Sequence, residues 1–211
     1  MELELKSIYS QINPHFIFNT LNSALLLVSK NRMEEAYIHI AKFSRLLRSY
    51  IKSSRNKLIS VAEEISNLKN YIELQQTRFK DKFEYQIEID SNLKTEQVRI
   101  PSLLLQPFVE NAINHGILNK QSQGNLKIGF NLSEKQNEII CTIEDDGVGR
   151  KQSKQINEGN ADKDESYGNL MIKDLVNIFN KYEQMNIDIQ YTDKEYPLTG
   201  TIVTIKIKKT L

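Results

Sequence analysis

Several features are scarce in this sequence, and each scarcity excludes a class of protein. Cys141 is the only cysteine among 211 residues, so a disulfide framework is excluded and the reducing cytoplasm is indicated. The formal net charge is +1 without a basic cluster, so electrostatics gives no case for a nucleic-acid or anionic-membrane partner. No segment approaches the ~18 apolar residues that span a bilayer. The chain lacks the arrangement of a signal peptide, and its charged, helix-forming start indicates a piece of a longer protein.

Two stripes of apolar residues predict a helical hairpin near the start of the chain. The stripes repeat at steps of three and four residues and are separated by a turn at Lys30-Asn31. Their members are Phe18, Leu21, Leu25 and Val28 before the turn, and Met33, Tyr37, Ile40, Leu47 and Ile51 after it. Because such a hairpin has little core of its own, we expect it to pair with a second copy in a four-helix bundle.

Beyond the hairpin, strand patterns alternate with helical ones. Apolar runs predict strands at 83–90, 126–132, 139–143, 187–191 and 203–207. The order of the elements indicates an α+β class, with helices on one face of a mixed sheet. We therefore predict two domains, a helical hairpin at 1–54 and an α/β sandwich at 55–211.

Helices are expected in three places within the second domain. Ser60 is a suitable N-cap for the first of them. Pro101 is expected to open the second, which ends near His115, and residues 170–182 form the third. The segment 150–165 is almost entirely polar, which is typical of a long loop that acts as a lid or is disordered.

A carboxylate followed by two glycines ends the predicted strand at 139–143. Asp145 is followed by Gly147 and Gly149, and glycine lets the backbone turn sharply and approach a ligand. A buried carboxylate here would accept a hydrogen bond from the exocyclic amine of adenine. The simpler interpretation is a tight turn. Gly200 and Thr201, which open the last strand, are likewise most simply a strand start.

The segment from Glu110 to Gly116 combines polar side chains with a helical apolar face. Asn111, Asn114 and His115 are spaced by three and four residues, so they share one face of an α-helix. An amide oxygen such as that of Asn111 is a hard ligand, suited to Mg²⁺ that is held mainly by phosphates. The simpler interpretation is a solvated helix face that ends at a glycine cap.

His15, Asn19 and Asn22 form a polar line through the apolar surface of the first helix. Burial of such groups without partners is costly, and a neutral imidazole is a competent nucleophile near neutral pH. A lone histidine in a helix is more often structural than reactive, but polar residues in line within an apolar face are harder to dismiss, so His15 and Asn19 are candidate catalytic residues. His39, by contrast, lies among ordinary helix-surface residues, and we assign it no chemical role.

Together these segments resemble the LytS-like sensor histidine kinases. The resemblance rests on the stretch 11–22, with its Pro-His-Phe-x-Phe-Asn motif, followed in order by the segments 110–116 and 145–149. It covers nearly the whole chain, and the histidine motif is highly specific. In this family a short phosphoacceptor hairpin precedes a Bergerat-type ATP-binding domain, the fold also found in DNA gyrase and heat-shock protein 90.

The resemblance implies a role for each matching residue. His15 would accept the γ-phosphoryl group of ATP, and Asn111 would bind the Mg²⁺ that bridges the phosphates. The residues that would surround the nucleotide are Asn114, His115, Asp145, Gly147, Gly149, Gly168 and Thr201. Among them Asp145 would recognise adenine, and the segment 150–165 would form the ATP lid.

The resemblance also implies a cellular role. The chain would be the cytoplasmic transmitter part of a membrane-anchored bacterial sensor, dimeric through the hairpin, which passes its phosphoryl group to the receiver domain of a response regulator. Two departures leave an alternative open. Gly168 stands alone where most relatives have Gly-x-Gly, and Asn114 replaces a usual lysine. The alternative is a non-catalytic dimerisation and signalling module with a degenerate ATP site. A Bergerat-type ATPase or serine kinase would need neither His15 nor the hairpin.

Overall fold

The structure, a computed structural model, describes residues 14–53, 56–133, 138–157, 164–183, 185–195 and 197–209. The helices are α1 (Pro14–Ser29), α2 (Met33–Ser53), α3 (Val61–Arg78), α4 (Gln106–Asn111), a π-helix that continues α4 (Ala112–Ile117), α5 (Arg150–Asn157) and α6 (Asp164–Tyr182). The strands are β1 (Leu58–Ser60), β2 (Phe83–Ile89), β3 (Arg99–Pro101), β4 (Gly124–Leu132), β5 (Ile139–Asp145), β6 (Met185–Asp193) and β7 (Thr201–Lys209). None of these described helices is long and apolar enough to cross a membrane.

The helices α1 and α2 form the predicted hairpin. Asn31 turns the chain between them with a φ of 56°, a left-handed conformation that asparagine tolerates. The chain buries a different face of α1 from the predicted stripe, namely Phe16, Thr20, Ala24 and Leu27. Phe18 and Leu25, which belong to the stripe, are 65% and 66% exposed. The apolar stripe therefore has no partner within the described part of this chain.

His39 is buried, and the expectation of a surface position was wrong. Its side chain is 3% exposed, and its Nε2 lies 3.1 Å from the carbonyl oxygen of Thr20 in α1. Burial lowers the pKa of the imidazole, which favours the neutral ring. The pattern of a single helix did not reveal this position because α1, rather than α2 itself, encloses the ring. His39 therefore links the two helices of the hairpin.

Five strands form one mixed sheet in the order β2-β4-β5-β7-β6. Strand β2 runs parallel to β4, and the other pairs are antiparallel. Alternate residues of β5 are buried, beginning with Ile139 and ending with Asp145. The helices of this domain pack on that face, and the intervening residues point to the other side. The arrangement confirms the predicted α+β class, a hairpin followed by helices on one face of a mixed sheet.

The sequence patterns did not predict the short antiparallel pair of strands β1 and β3, and Pro101 belongs to this pair. Pro101 lies opposite Leu58 and ends β3, so it does not open a helix as predicted. Leu103 has a φ of 59°, which no right-handed helix accepts, and α4 therefore begins only at Gln106. Pro107 lies in the first turn of α4, where its missing N–H leaves no helical hydrogen bond unmade.

Helix α3 joins the hairpin to the sheet domain. It begins at the predicted cap, Ser60, whose side chain accepts a backbone hydrogen bond from the first turn. The ring of Phe16 in α1 packs on Tyr71 in α3, with 5.1 Å between centroids. The hydroxyl of Tyr50 in α2 accepts a hydrogen bond from the side-chain amide of Gln106. One hydrophobic cluster therefore continues from the hairpin into the sheet domain, past the boundary proposed at residue 54.

Candidate functional site

Strands β5 and β7 bring two of the predicted residues to the same end of the sheet. They pair antiparallel with Glu144 opposite Ile202, so Asp145 at the end of β5 lies beside Thr201 at the start of β7. Both side chains are buried, with 5% and 7% of their surface exposed. The Oδ1 of Asp145 accepts a hydrogen bond of 2.8 Å from the backbone N–H of Gly147. The carboxylate is thereby held in one orientation.

Gly147 and Gly149 shape the loop after β5 in different ways. A Cβ atom at Gly147 would lie 2.2 Å from the carbonyl carbon of Gly116, so only glycine lets the loop pack on the π-helix. Gly149 has a φ of 78°, a left-handed conformation that glycine adopts readily. Its carbonyl oxygen accepts a hydrogen bond of 3.0 Å from the backbone of Ser153. The loop therefore leads directly into α5.

The π-helix separates residues that an α-helix would place together. The N–H of Leu118 donates to the carbonyl oxygen of Ile113 over 2.9 Å, a five-residue spacing that widens the turn. Asn111 and His115 are four residues apart, so in this wider turn they stay on the same side of the helix. Asn114 is displaced from that side. Asn114 is exposed and does not line the pocket to which the other two contribute.

A pocket of about 710 Å³ lies between the π-helix, α5, α6 and the sheet. Its apolar lining includes Phe108, Ala112, Ile143, Ile172, Val176 and Val203. Its polar lining includes Asn111, His115, Asp145, Ser153, Lys173 and Thr201. Apolar walls with a few polar groups at fixed positions, in a volume of this size, are typical of a small-molecule binding site.

Helix α5 occupies the first half of the segment that was predicted to be one polar loop. The prediction of a continuous loop was wrong there, and α6 also begins earlier than residue 170; residues 158–163 lie outside the described part. The guanidinium of Arg150 donates two hydrogen bonds to Asp193, of 2.8 and 3.0 Å, and Ser153 faces inward with 5% exposed. Polar contacts such as those of Arg150 with Asp193 hold α5 in place, and α5 has no apolar stripe. Its helical periodicity is therefore not visible in the sequence.

The carboxyl group of Asp145 has an unusual environment. Burial raises its pKa to about 6, while the hydrogen bond from Gly147, the charge of Lys194 and a hydrogen bond from the backbone of Thr201 oppose the rise. At neutral pH the group is therefore ionised and only accepts hydrogen bonds. A buried acceptor that opens on a pocket is best satisfied by a donor on a ligand.

The raised pKa predicts a pH-dependent difference in stability between the wild type and Asp145→Asn. The folded-state pKa of about 6 exceeds the ordinary value of 3.8, so the stability that Asp145 contributes is complete below about pH 4 and is lost as the pH rises through 6. Relative to the variant, the wild type should lose up to about 3 kcal/mol over this window, because one pKa unit corresponds to about 1.4 kcal/mol.

Urea unfolding of both proteins at several pH values between 4 and 8 measures this difference. Glu64, whose pKa burial raises to about 7, titrates in both proteins, so its contribution cancels. A difference in stability that does not change with pH would contradict the prediction.

Comparison with known proteins identifies the family. The model of the family described as histidine kinase matches residues 3–83. The sensor protein LytS of Staphylococcus haemolyticus is 32% identical over 70% of this chain and 24% of its own length. LytS of Bacillus cereus is 27% identical over 99% of this chain and 34% of its own length. The protein YwpD of Bacillus subtilis is 32% identical over 79% of this chain and 58% of its own length.

This chain belongs to the LytS-like sensor histidine kinases. The resemblance seen in the motifs is thereby confirmed. The chain spans about a quarter to a third of the length of the two LytS relatives. Among solved structures, the histidine kinase AdeS of Acinetobacter baumannii matches with a TM-score of 0.49 and 15% identity, over 90% of this chain and 94% of that one.

Five of the residues predicted to bind nucleotide line the pocket described above. They are Asn111, His115, Asp145, Gly149 and Thr201. Gly147 does not line the pocket, but it shapes the neighbouring loop through its packing on Gly116. Gly168 lies within α6. The structure therefore gathers predicted residues from three separate segments of the chain, and Asn114 is the predicted residue that it directs to solvent.

The predicted catalytic residues lie on α1. His15 is in the first turn of the helix, and its side chain is outside the described part. Asn19 follows four residues later, and its Nδ2 is buried without a hydrogen-bond partner among the described residues. Asn22 is exposed. The three residues thus do not form one uniformly buried line.

Several polar residues of the pocket were missed in the sequence, among them Tyr191, Lys173 and Ser153. The ring of Tyr191 lies 6.3 Å from that of Phe108 and 5.1 Å from the guanidinium carbon of Arg150. Lys173 and Ser153 line the pocket from α6 and α5. Tyr191 ends a regular strand pattern in the sequence, and Lys173 and Ser153 have polar neighbours along the chain. None of the three therefore carries a signal that distinguishes it from a surface residue.

The polar groups that line the pocket suit a nucleotide with bound Mg²⁺. Within the described residues no cluster of three or more histidine, cysteine or acidic side chains could hold a metal ion by itself. The amide of Asn111 suits a Mg²⁺ ion that takes most of its ligands from phosphates. The ionised carboxylate of Asp145, at the buried end of the pocket, suits the exocyclic amine of adenine.

Proposed function

We propose that this chain is the cytoplasmic catalytic part of a sensor histidine kinase and that it uses ATP to phosphorylate its own His15. The observation that carries the proposal is the buried, ionised carboxylate of Asp145, which faces a pocket that Asn111 and His115 also line. Membership of the family indicates the reaction, and the pocket offers a place for its nucleotide.

In this proposal each side of the pocket recognises a different part of ATP. The carboxylate of Asp145 accepts a hydrogen bond from the adenine amine, and Thr201 supports the base from the neighbouring strand. Apolar side chains such as Ile143 and Val203 exclude water from the purine. Asn111 holds the Mg²⁺ on the phosphates, and the metal offsets the negative charge of the transferring group.

The reaction requires the hairpin and the sheet domain to meet. A neutral nitrogen of His15 attacks the γ-phosphorus, the bond from that phosphorus to the bridging oxygen breaks, and ADP leaves with the electron pair. The imidazole loses its N–H proton, so the products are ADP, phosphohistidine and a proton. We propose that an aspartate in the receiver domain of a response regulator then takes the phosphoryl group.

We also propose that the hairpin pairs with a second copy of the chain. Large apolar side chains are exposed along both helices, namely Phe18, Leu21, Leu25, Leu26, Val28, Met33, Tyr37, Ile38, Ile40 and Ile51. Soluble monomers rarely expose a contiguous patch of this kind. A four-helix bundle formed by two hairpins would cover it.

The exposed stripe predicts a monomeric variant. Phe18→Glu combined with Leu25→Glu places charges on two side chains that are 65% and 66% exposed here, so the fold should survive while the pairing is lost. Light scattering at micromolar concentration should report a dimer for the wild type and a monomer for the variant. Leu198→Glu is the matched control, because Leu198 is 67% exposed on the sheet domain, and it should remain dimeric. A monomeric wild type would contradict the pairing.

Incubation with γ-labelled ATP and Mg²⁺ tests the kinase activity. We expect the protein to acquire a label that is labile in acid and stable in alkali, as phosphohistidine is. Calorimetric titration with a non-hydrolysable ATP analogue is the parallel measurement. Binding without label would argue against autophosphorylation by this chain, and the absence of both would favour the non-catalytic signalling module.

A further inference from the structure

Ser153 is a buried polar residue of α5 that was not among the predicted site residues. Six buried side-chain atoms of the described residues lack a hydrogen-bond partner, in Asn19, His39, Ser49, Glu64, Asn67 and Ser153. Of these six residues only Ser153 lines the pocket. Its side chain is 5% exposed, so its hydroxyl is screened from bulk water. An unpaired hydroxyl at such a position is unfavourable unless a ligand supplies its hydrogen-bond partner.

The hydroxyl of Ser153 also differs from those of Thr20 and Ser23 in α1. Thr20 and Ser23 donate to the carbonyl oxygens four residues before them, at 2.8 and 2.9 Å, which is the usual way to satisfy a hydroxyl within a helix. The corresponding carbonyl for Ser153 belongs to Gly149, which accepts the backbone N–H of Ser153 at 3.0 Å. The Oγ atom of Ser153 has no partner among the described residues, and the residue lines the pocket.

The backbone of Ser153 is fixed by the same loop that positions Asp145. Gly149 follows the carboxylate in the loop and directly precedes α5, and Ser153 lies one helical turn further on. Asp145 and Ser153 therefore line the same pocket from one continuous segment of the chain.

We propose that the hydroxyl of Ser153 is a further nucleotide-binding group, which forms a hydrogen bond with the bound adenine nucleotide. This rests on the proposed function of the pocket. It predicts that Ser153→Ala weakens the binding of a non-hydrolysable ATP analogue with Mg²⁺ by roughly three- to tenfold, the usual effect of losing one hydrogen bond to a ligand. Calorimetric titration of the whole chain measures the change.

A thermal denaturation experiment separates this role from a structural one. Because the hydroxyl has no partner among the residues that the structure describes, Ser153→Ala should leave the melting temperature of the nucleotide-free protein unchanged or raise it. The increase in melting temperature on addition of the analogue should become smaller, since stabilisation follows affinity. A lower melting temperature without nucleotide would show that the hydroxyl serves the fold, which would overturn the proposal.

Ser49→Ala is the matched control, because its Oγ is likewise buried and without a partner but lies in the hairpin, away from the pocket. It should bind the analogue as the wild type does. If the wild type binds and Ser153→Ala binds equally well, or if Ser49→Ala loses as much affinity, the proposal is wrong. If the wild type itself does not bind, the proposed function fails instead.

Discussion

Replacement of His15 by alanine should abolish the acid-labile, alkali-stable label that the wild type takes from γ-labelled ATP. Alanine has no nitrogen that attacks phosphorus, so the expected loss is complete rather than partial. The variant should still bind an ATP analogue, because His15 belongs to α1 and Asp145 and Asn111 line the pocket. Retained binding with lost label would separate the nucleophile from the nucleotide site.

The other two histidines of the chain make this experiment selective. His39→Gln keeps a side-chain donor near the carbonyl oxygen of Thr20, so this variant should be somewhat less stable and still become labelled. His115 lines the pocket and is the remaining histidine. Label that persists in His15→Ala would assign the acceptor elsewhere, with His115 as the next residue to replace.

Asp145→Asn should weaken ATP binding by roughly ten- to a hundredfold, the range expected when a hydrogen bond to a charged group is lost. The amide is nearly the same size as the carboxylate, so the pocket keeps its shape. Its NH₂ group, however, would face the adenine amine with a second donor, or its single oxygen would have to serve both the ligand and the N–H of Gly147. Calorimetric titration with an ATP analogue measures the loss.

Asp146→Asn is the control for this variant, since the neighbouring carboxylate serves the fold. It accepts hydrogen bonds of 2.7 and 2.9 Å from Asn125 and forms an ion pair with Lys120, and it does not line the described pocket. We expect Asp146→Asn to lower stability and to preserve ATP binding, whereas Asp145→Asn should preserve or raise stability at pH 7.5 and lose binding. The same response from both variants would contradict the assignment.

Together these experiments would divide the chain into two functional parts. The hairpin carries His15, which we propose as the nucleophile, and the exposed apolar stripe that we propose for dimerisation. The sheet domain carries the pocket. The ring of Phe16 on Tyr71 and the hydrogen bond between Tyr50 and Gln106 hold the two parts together in this structure. Contacts of this kind would have to yield when His15 approaches a bound nucleotide.

Much of the architecture was predictable from the sequence because it depends on local signals. The spacing of Phe18, Leu21 and Leu25 indicated a helix, the alternation in residues 126–132 indicated a strand, and Ser60 marked a helix start. The motif around His15 and the segment at Asp145 indicated the family. Each of these signals lies within a few neighbouring residues, so it can be recognised without knowledge of the fold.

Tertiary structure decided which of these residues meet and which face of each element is buried. The widened turn at Ala112–Ile117 keeps Asn111 and His115 in the pocket and turns Asn114 to solvent, while α1 encloses His39. Ser153 is buried at the pocket although its neighbours in the sequence are polar. Burial depends on residues that are distant along the chain. The sequence by itself therefore determined the elements, the family and most candidate residues, whereas their assembly into one pocket required the packed fold.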